Sequence, residues 1–339
     1  MEDSPQVPDP VDKAFLCGSP TVVLNGATAT GKSSLAVSLA VSLAQSGHRA
    51  EVVNTDSMLV YRGMDIGTAK PSAAERRGIP HHLIDIWPIT RTGTVADFQE
   101  LARTAVADCR SRGVIPILVG GSALYVRAIV DHFDFPGTDP HVRAHWEAEL
   151  ERRGAADLYA ELARRDPEAA GRMEPSNGRR TVRALEVLDL RGAMSGQLPE
   201  PAYALPDVVQ LGVRMPREVM DARIEARVGQ MWRDGFVEEV RRLEADGLRD
   251  GVTASRAIGY RQVLDHLAGE YDEDMAQERT IIRTRQFARR QLSWFRRDDR
   301  IIWLDGAGEQ AEGVAGAELL TQALEALRDW RPEVSGSPH

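Results

Sequence analysis

Hydrophobic positions along the chain form two alternating patterns, short apolar runs and longer stretches with helical spacing. The β-branched run at 21–24 precedes a helical pattern in which Leu35, Leu39 and Leu43 share one face. Residues 114–119, VIPILV, form the continuous apolar run typical of a buried parallel strand. Strands that alternate with helices predict an α/β fold, a mostly parallel sheet covered by helices on both faces.

The same reading divides the chain into a core and an inserted helical segment. Further strands are predicted at 51–54, 207–213 and 301–304, with an apolar, proline-bounded segment at 78–88. Helices are predicted up to about residue 44 and at 94–112, 124–130, 217–246, 254–268, 274–297 and 313–329. Residues 132–205 are helical, charged and arginine-rich between loop-like borders. We therefore expect a core of 21–131 and 206–330, an insert of 132–205, and flexible tails at 1–20 and 331–339.

The turn after the first strand carries the sharpest motif. Its sequence, GATATGKS, fits G-x-x-x-x-G-K-[ST], the nucleotide-binding phosphate loop of P-loop NTPase-like folds, and it lies between a strand and a helix as that loop requires. Glycine permits backbone angles that point successive N–H groups at a polyanion, and the helix dipole adds positive charge. The predicted diphosphate- or triphosphate-binding residues are Gly26, Ala27, Thr28, Ala29, Thr30, Gly31, Lys32 and Ser33, with the Ser33 hydroxyl as a ligand of Mg²⁺.

Composition narrows the classes of protein. The 339 residues include two cysteines, Cys17 and Cys109, too few for a disulfide framework or a zinc cluster. No apolar run approaches the ~18 residues of a membrane span, and the acidic, proline-rich N-terminus is unlike a signal peptide. We expect a cytoplasmic protein without a membrane partner, and nothing in the sequence requires more than a monomer.

Polar residues follow two further strands at their carboxyl ends, where ligands bind in open α/β sheets. Asp56 follows the second strand and is a candidate magnesium ligand or general base, although Thr, Asp and Ser at 55–57 are also turn-capping residues. Ser122, after Gly120-Gly121, is a candidate phosphate donor and an equally good helix cap. His81, His82 and Asp85 lack metal partners at defined spacing, which favours hydrogen-bonding roles.

Arginine clusters suggest a nucleic-acid partner in spite of the net charge of −9. One cluster lies in the insert, around 179–191. The other, at 283–300, is interleaved with Phe287, Trp294 and Phe295. Arginines on phosphates and aromatics stacked on bases suit single-stranded or looped RNA, whereas a solvated helix face with core aromatics gives the same pattern.

Several stretches together resemble the tRNA dimethylallyltransferase family, also called tRNA isopentenyltransferases, of the bacterial type. They are GATATGKS, DSMLVYRGMDIGTAKP, LVGGSALY, RALEVL, AIGYRQ and RRQLSWFR, spread in order from about residue 21 to 305. The resemblance implies transfer of a dimethylallyl group from its diphosphate to N6 of the adenine 3′ of the tRNA anticodon. The phosphate loop would then hold the leaving diphosphate with Mg²⁺.

Individual roles follow from this resemblance. Asp56 matches the family's general base, Lys32 neutralises charge on the diphosphate, Arg227 matches a diphosphate-binding arginine, and Ser122 keeps the hydroxyl of a common Thr. The target base must be flipped out of the anticodon arm to reach the site. Implied tRNA contacts are Asp56, Ser57, Met58, Leu59, Ser122, Arg143, Arg179, Arg180, Arg256, Tyr260, Arg289, Arg290 and Trp294.

Three other readings compete. A P-loop small-molecule kinase predicts ATP-dependent phosphoryl transfer and no need for the arginine–aromatic helix at 283–300. A prenyltransferase acting on free adenylate would not need the insert. A non-catalytic RNA-binding protein leaves Asp56 and Ser122 without a purpose at the strand ends.

Overall fold

A six-stranded parallel sheet, with strand order β3-β2-β4-β1-β5-β6, organises the chain. The computed structural model describes residues 19–192, 199–306 and 316–331. Its strands are β1 (Thr21–Gly26), β2 (Ala50–Asn54), β3 (His81–His82), β4 (Ile115–Val119), β5 (Val208–Arg214) and β6 (Ile301–Asp305). Its helices are α1 (Lys32–Gln45), α2 (Val95–Ser111), α3 (Ala123–Val130), α4 (Pro140–Arg165), α5 (Pro167–Ala170), α6 (Gly178–Arg191), α7 (Arg217–Arg233), α8 (Phe236–Ala245), α9 (Tyr260–Leu267), α10 (Glu273–Phe295) and α11 (Ala317–Asp329).

The register of the three central strands brings their carboxyl ends together. Strand β4 lies between β2 and β1, with Val119 opposite both Asn54 and Leu24. Gly26, at the end of β1, lies opposite Val213 of β5. The segments after β1, β2 and β4 therefore share one edge of the sheet, as the predicted parallel α/β fold requires.

Alternation along the strands divides the core between the two faces of the sheet. Val22 and Leu24 of β1 pack with the apolar faces of α1 and α11, whereas Val23 faces the side covered by α2, α3, α8 and α9. All three side chains are fully buried. Burial on both faces explains why the strands are continuous apolar runs.

Residues 132–202 form a second compact unit with its own core. Trp146 and Leu158 of α4 pack against Leu185 of α6 in that core. The sequence placed this insert at 132–205, three residues longer at its C-terminal border. Both predicted tails lie almost entirely outside the described residues.

The helices are more interrupted than the sequence pattern predicted. One predicted helix, 217–246, is two, because Gly235 adopts a left-handed φ of 91° between α7 and α8. Gly259, with φ 89°, likewise starts α9 after a short 3₁₀ turn. Gly154 kinks α4. Among the described residues, no helix combines the length and apolarity needed to cross a membrane.

Candidate active site

The glycine-rich loop between β1 and α1 has the backbone geometry expected of an anion-binding turn. Gly26 has φ 146°, and a Cβ there would lie 2.9 Å from the Val213 carbonyl oxygen. Ala29 and Gly31 adopt left-handed φ angles of 63° and 86°. Gly31 is the N-cap of α1 and provides no side-chain cap. The N-terminus of the helix therefore faces the open cleft beside the loop.

Lys32 is folded back beneath this loop. Its Nζ donates to the Ala27 carbonyl, and 3.5 Å separates it from Thr30 Oγ1. Burial, followed by the positive charge of Arg227, lowers the pKa of Lys32 to about 7, against a smaller raising effect from Asp56. A buried ammonium between a cation and a carboxylate is poorly compensated, so a bound anion would stabilise its charged form.

Arg227 of α7 approaches the loop from the opposite side. Its Nη1 lies 3.4 Å from Thr28 Oγ1, and the side chain is half-buried. Arg227, Lys32 and the N-terminus of α1 thus surround the same space with positive charge. The structure therefore brings together the predicted loop and the arginine, which is 195 residues further along the sequence than Lys32.

Asp56 lies at the end of β2, facing the loop. Asn54 fixes the turn, because its Oδ1 accepts from Asp56 N at 2.8 Å and its Nδ2 donates to the Asp56 carbonyl. Asp56 Oδ1 accepts from Met58 N at 2.8 Å, so the turn-capping role is real. The half-buried carboxylate also lines the cavity, so capping leaves it available for chemistry.

The Gly-Gly-Ser turn after β4 completes the rim. A Cβ on Gly120 would lie 2.1 Å from Thr55 Oγ1, and one on Gly121 would lie 2.2 Å from Gln291 Nε2, so both positions require glycine. Ser122 occupies the N-cap position of α3, but its side chain makes no cap hydrogen bond. Its hydroxyl instead lines the cavity beside Asp56.

Gln291 is a site residue that the sequence reasoning missed. It is 5% exposed, on α10, and its Oε1 accepts from Thr28 N at 2.9 Å. It therefore fixes the phosphate loop from a helix 263 residues away. The signal was present in RRQLSWFR, where a single uncharged amide lies among arginines on the helix.

The site contains a wide polar cleft and a smaller apolar cavity. The cleft, about 1080 Å³, is lined by the phosphate loop, Asp56, Leu59 and Arg227. The cavity, about 290 Å³, shares Asp56 and Arg227 with the cleft and adds Ser57, Met58 and Ser122. Its apolar walls are formed by Ile224, Val228, Met231, Phe236, Ile258 and Phe287.

The arginine–aromatic helix α10 has mixed roles. Trp294 is exposed and lies under Arg297, Arg290 is exposed, and Arg289 is half-buried, so these side chains can face a ligand. Phe295, in contrast, is 3% exposed and belongs to the core. Arg285 and Arg300 are held in ion pairs within the fold.

Tyr260 does not belong to an RNA-facing surface, so that prediction is wrong. Its side chain is fully buried, and its hydroxyl donates to Glu239 Oε1 at 2.5 Å. Burial, followed by the Glu239 charge, raises the pKa of Tyr260 well above its usual value, so it remains a neutral donor. Arg256, four residues earlier, is exposed and lines the apolar cavity.

Within the unit 132–202, the three predicted RNA contacts differ. Arg179 and Arg180 are exposed at the start of α6. Arg143 is a structural residue instead, because its guanidinium pairs with the fully buried Glu186 carboxylate at 2.6 Å. Contact with RNA would break that pair, so the geometry does not support this role for Arg143.

His81 and His82 are held in hydrogen bonds, and His81 also lines the polar cleft. His81 Nδ1 lies 2.8 Å from the Ile79 carbonyl, and His82 Nε2 lies 2.7 Å from Glu51 Oε2. Glu51, His82 and Cys109 place their ligand atoms within 4.8 Å of one another. Arg112, however, occupies both Glu51 oxygens at 2.7 and 2.8 Å, which makes this a charge-compensated hydrogen-bonded cluster.

The sheet, the glycine loop and the polar strand ends define an α/β protein of the phosphate-loop type. The IPP transferase family model matches residues 59–298, so this chain belongs to the IPP transferase family.

Similar proteins agree with that assignment. The tRNA dimethylallyltransferase of Cutibacterium acnes is 54% identical over 302 residues, 89% of this chain and 95% of that protein. That of Acidothermus cellulolyticus is 56% identical over 300 residues, 88% and 92% of the two chains. Among solved structures, the tRNA isopentenylpyrophosphate transferase of Bacillus halodurans has a TM-score of 0.65 at 36% identity, covering 91% of this chain and 97% of its own. A eukaryotic dimethylallyltransferase acting on tRNA has a TM-score of 0.73 at 26% identity, and the match covers 86% of this chain and 75% of that chain.

Proposed function

We propose that this protein transfers a dimethylallyl group from dimethylallyl diphosphate to N6 of the adenine 3′ of a tRNA anticodon. The observation that carries the proposal is a single site in which a phosphate loop, a carboxylate and an apolar cavity meet. A kinase requires the first of these features but has no use for the apolar cavity. The relatives reported above, named for this transfer, support the same reaction.

The diphosphate binds to the loop of residues 26–33. Backbone N–H groups, Lys32 and Arg227 neutralise its charge, which increases as the allylic C–O bond breaks. Mg²⁺ fits this site, because the Ser33 hydroxyl, which lines the cleft, and phosphate oxygens are the hard oxygen ligands that it prefers. When bound, it would supply further stabilisation of the leaving diphosphate.

Asp56 is the general base. The bond from C1 of the prenyl group to the diphosphate oxygen breaks, and the diphosphate leaves with the bonding electron pair. The adenine N6 lone pair forms the new bond to C1, and the N6 proton passes to Asp56. The Met58 N–H bond to Oδ1 fixes the carboxylate at the junction of cleft and cavity, where C1 and N6 must meet.

The five-carbon group occupies the apolar cavity and the tRNA supplies the base. An adenine flipped out of the anticodon arm presents N6 to Asp56, with Ser57, Met58, Leu59 and Ser122 forming the adjacent wall. Exposed cationic and aromatic side chains account for the remaining contacts to RNA: Arg179, Arg180, Arg256, Arg290 and Trp294.

The test is incubation with radiolabelled dimethylallyl diphosphate, Mg²⁺ and an anticodon stem-loop with adenine 3′ of the anticodon. We expect label in the RNA, and a loss of 10²–10⁴-fold in Asp56→Asn, about the usual contribution of a general base. The exposed Asp299→Asn is the matched control. Label in AMP but not in RNA would indicate a nucleotide prenyltransferase, and ATP consumption without transfer would indicate a kinase.

A further inference from the structure

The beginning of α8 contributes to the wall of the apolar cavity. Gly67, Gly259 and Phe236 all line this part of it. Phe236 is fully buried, and its ring tip lies against both glycines. A Cβ on Gly67 would lie 2.2 Å from Phe236 Cε2, and one on Gly259 would lie 3.0 Å from Cε1 and Cζ. The ring therefore forms this part of the wall, packed against two glycines that bring no side chain of their own.

Aromatic neighbours hold the Phe236 ring in place. Trp232 and Tyr260 pack edge-to-face against it, with centroids 5.2 and 5.0 Å away and interplanar angles of 73° and 86°. Tyr260 is in turn fixed by its hydrogen bond to Glu239. A ring packed on two sides cannot turn aside to admit a longer ligand without disrupting this cluster.

The cavity volume is suited to a short chain. At roughly 30 Å³ for a water-sized group, a five-carbon chain needs about 150 Å³ and a ten-carbon chain about 300 Å³. The whole cavity is about 290 Å³, and it must also hold the reacting amine beside Asp56 and Ser122. Five carbons and the reacting amine fit within this space, whereas ten carbons alone would fill it.

We propose that Phe236 is the residue that limits the prenyl donor to five carbons. This inference rests on the proposed function, because it places the prenyl group in the apolar cavity. The chemistry with a longer donor is unchanged: the C1–O bond breaks, diphosphate leaves with the electron pair, N6 bonds to C1, and the amine proton passes to Asp56. Only the space for the chain distal to C1 differs.

The experiment compares dimethylallyl and geranyl diphosphates as donors to the same stem-loop. Phe236→Ala removes the six ring carbons that form this part of the wall. We expect the ratio of kcat/KM for geranyl over dimethylallyl diphosphate to rise at least tenfold. Because Phe→Ala in a core is costly, Phe236→Leu is made as well, and it should raise the ratio by a smaller factor.

The control is Phe98→Ala, since Phe98 is equally buried, on α2, and does not line the cavity. It should lower stability without changing the donor ratio. A ratio unchanged in folded Phe236→Ala and Phe236→Leu would overturn the inference, as would an equal rise in the Phe98 variant. Absence of dimethylallyl transfer by the wild-type protein would instead refute the proposed function.

Discussion

The buried Glu239 carboxylate offers a sharp test of how the wall of the site is held. Its Oε2 accepts from the backbone N–H groups of Asp65 and Ile66 at 3.1 and 2.7 Å. Its Oε1 accepts from Gly67 N at 3.3 Å and from the Tyr260 hydroxyl at 2.5 Å. Glu239 is 1% exposed, so water cannot substitute for it. Since Gly67 lines the apolar cavity, Glu239 is a positioning residue for the site.

The contacts set the expected magnitudes. Each buried donor left without an acceptor costs about 1–3 kcal/mol, so Glu239→Ala, which orphans four, should cost about 4 kcal/mol or more. Glu239→Gln keeps one acceptor oxygen, but its amide nitrogen cannot accept from the donors that face it, so the change should cost roughly 2 kcal/mol or more. Tyr260→Phe removes one donor and should cost only about 1 kcal/mol.

Urea unfolding followed by circular dichroism measures these losses, and steady-state transfer to the stem-loop measures their effect on the site. We expect Glu239→Gln to lower kcat/KM for the prenyl diphosphate more than for RNA, because the turn it holds lines the apolar cavity proposed for the prenyl group. The exposed Glu238→Gln, on the same helix, is the matched control and should change neither quantity.

The coupling between the stability losses at Glu239 and Tyr260 can refute these expectations. In the double variant Glu239→Gln/Tyr260→Phe the losses should be less than additive, because the two side chains share one hydrogen bond. Wild-type stability and unchanged kinetics in Glu239→Gln would show that the four bonds do not hold the turn. Strict additivity would show that the Tyr260 bond contributes nothing.

Four further predictions concern the loop, the cavity wall and the exposed arginines. The pKa of Lys32 is lowered from 10.5 to about 7, so between these pH values the unfolded chain binds more protons than the folded one. The free energy of unfolding of the wild type should therefore rise with pH above 7, and that of Lys32→Met should not. Urea unfolding at pH 7 to 9 measures this difference. Diphosphate binding at pH 8 should take up a proton, detected by calorimetry in buffers of different ionisation enthalpy, and the absence of uptake would contradict a buried, neutral lysine. Gly67→Ala should abolish transfer, whereas Gly137→Ala, where a Cβ meets no atom within 4 Å, should not. Arg179→Ala/Arg180→Ala should raise KM for the stem-loop and reduce its salt dependence, leaving KM for the prenyl diphosphate unchanged; an equal rise in both KM values would argue against RNA contact.

The sheet and the phosphate loop were predictable because local signals there agree with the fold. Apolar stretches predicted the positions of β1, β2, β4, β5 and β6, and the two glycines of GATATGKS occur at positive φ. The helix breaks at Gly235 and Gly259 were missed for a physical reason. A single glycine is tolerated within a helical pattern, and only the tertiary packing of α8 and α9 shows that these two terminate helices.

The site was only partly predictable. Residues next to the strand ends, such as Asp56 and Ser122, follow from the topology of a parallel sheet. Gln291 and Phe236 contribute to the site from helices. The direction in which a helical side chain points depends on how the helix packs, which a single sequence does not reveal. Tyr260 was misassigned because an aromatic beside arginines has the same pattern whether it faces RNA or the core.

The run YRGMDIGTAK illustrates how a distinctive stretch can be structural rather than chemical. Tyr61 and Met64 are fully buried, and Lys70, whose side chain is 4% exposed, donates to the Tyr61 carbonyl and pairs with Asp65 and Asp85. Glu239 fixes the middle of the turn from the other side.

The side chains of Tyr61, Met64, Asp65 and Lys70 line neither the cleft nor the apolar cavity. Within this run, only the segment Gly67-Thr68-Ala69 lines them. A buried lysine that loses both of its carboxylates, or a buried carboxylate that loses its donors, leaves an uncompensated charge that costs several kcal/mol. The identities of the residues in this run are therefore fixed by their contacts with one another. Together they hold a wall of the site at 67–69, whose inner surface is almost entirely backbone. That bareness is what leaves room for the Phe236 ring, which packs directly against Gly67.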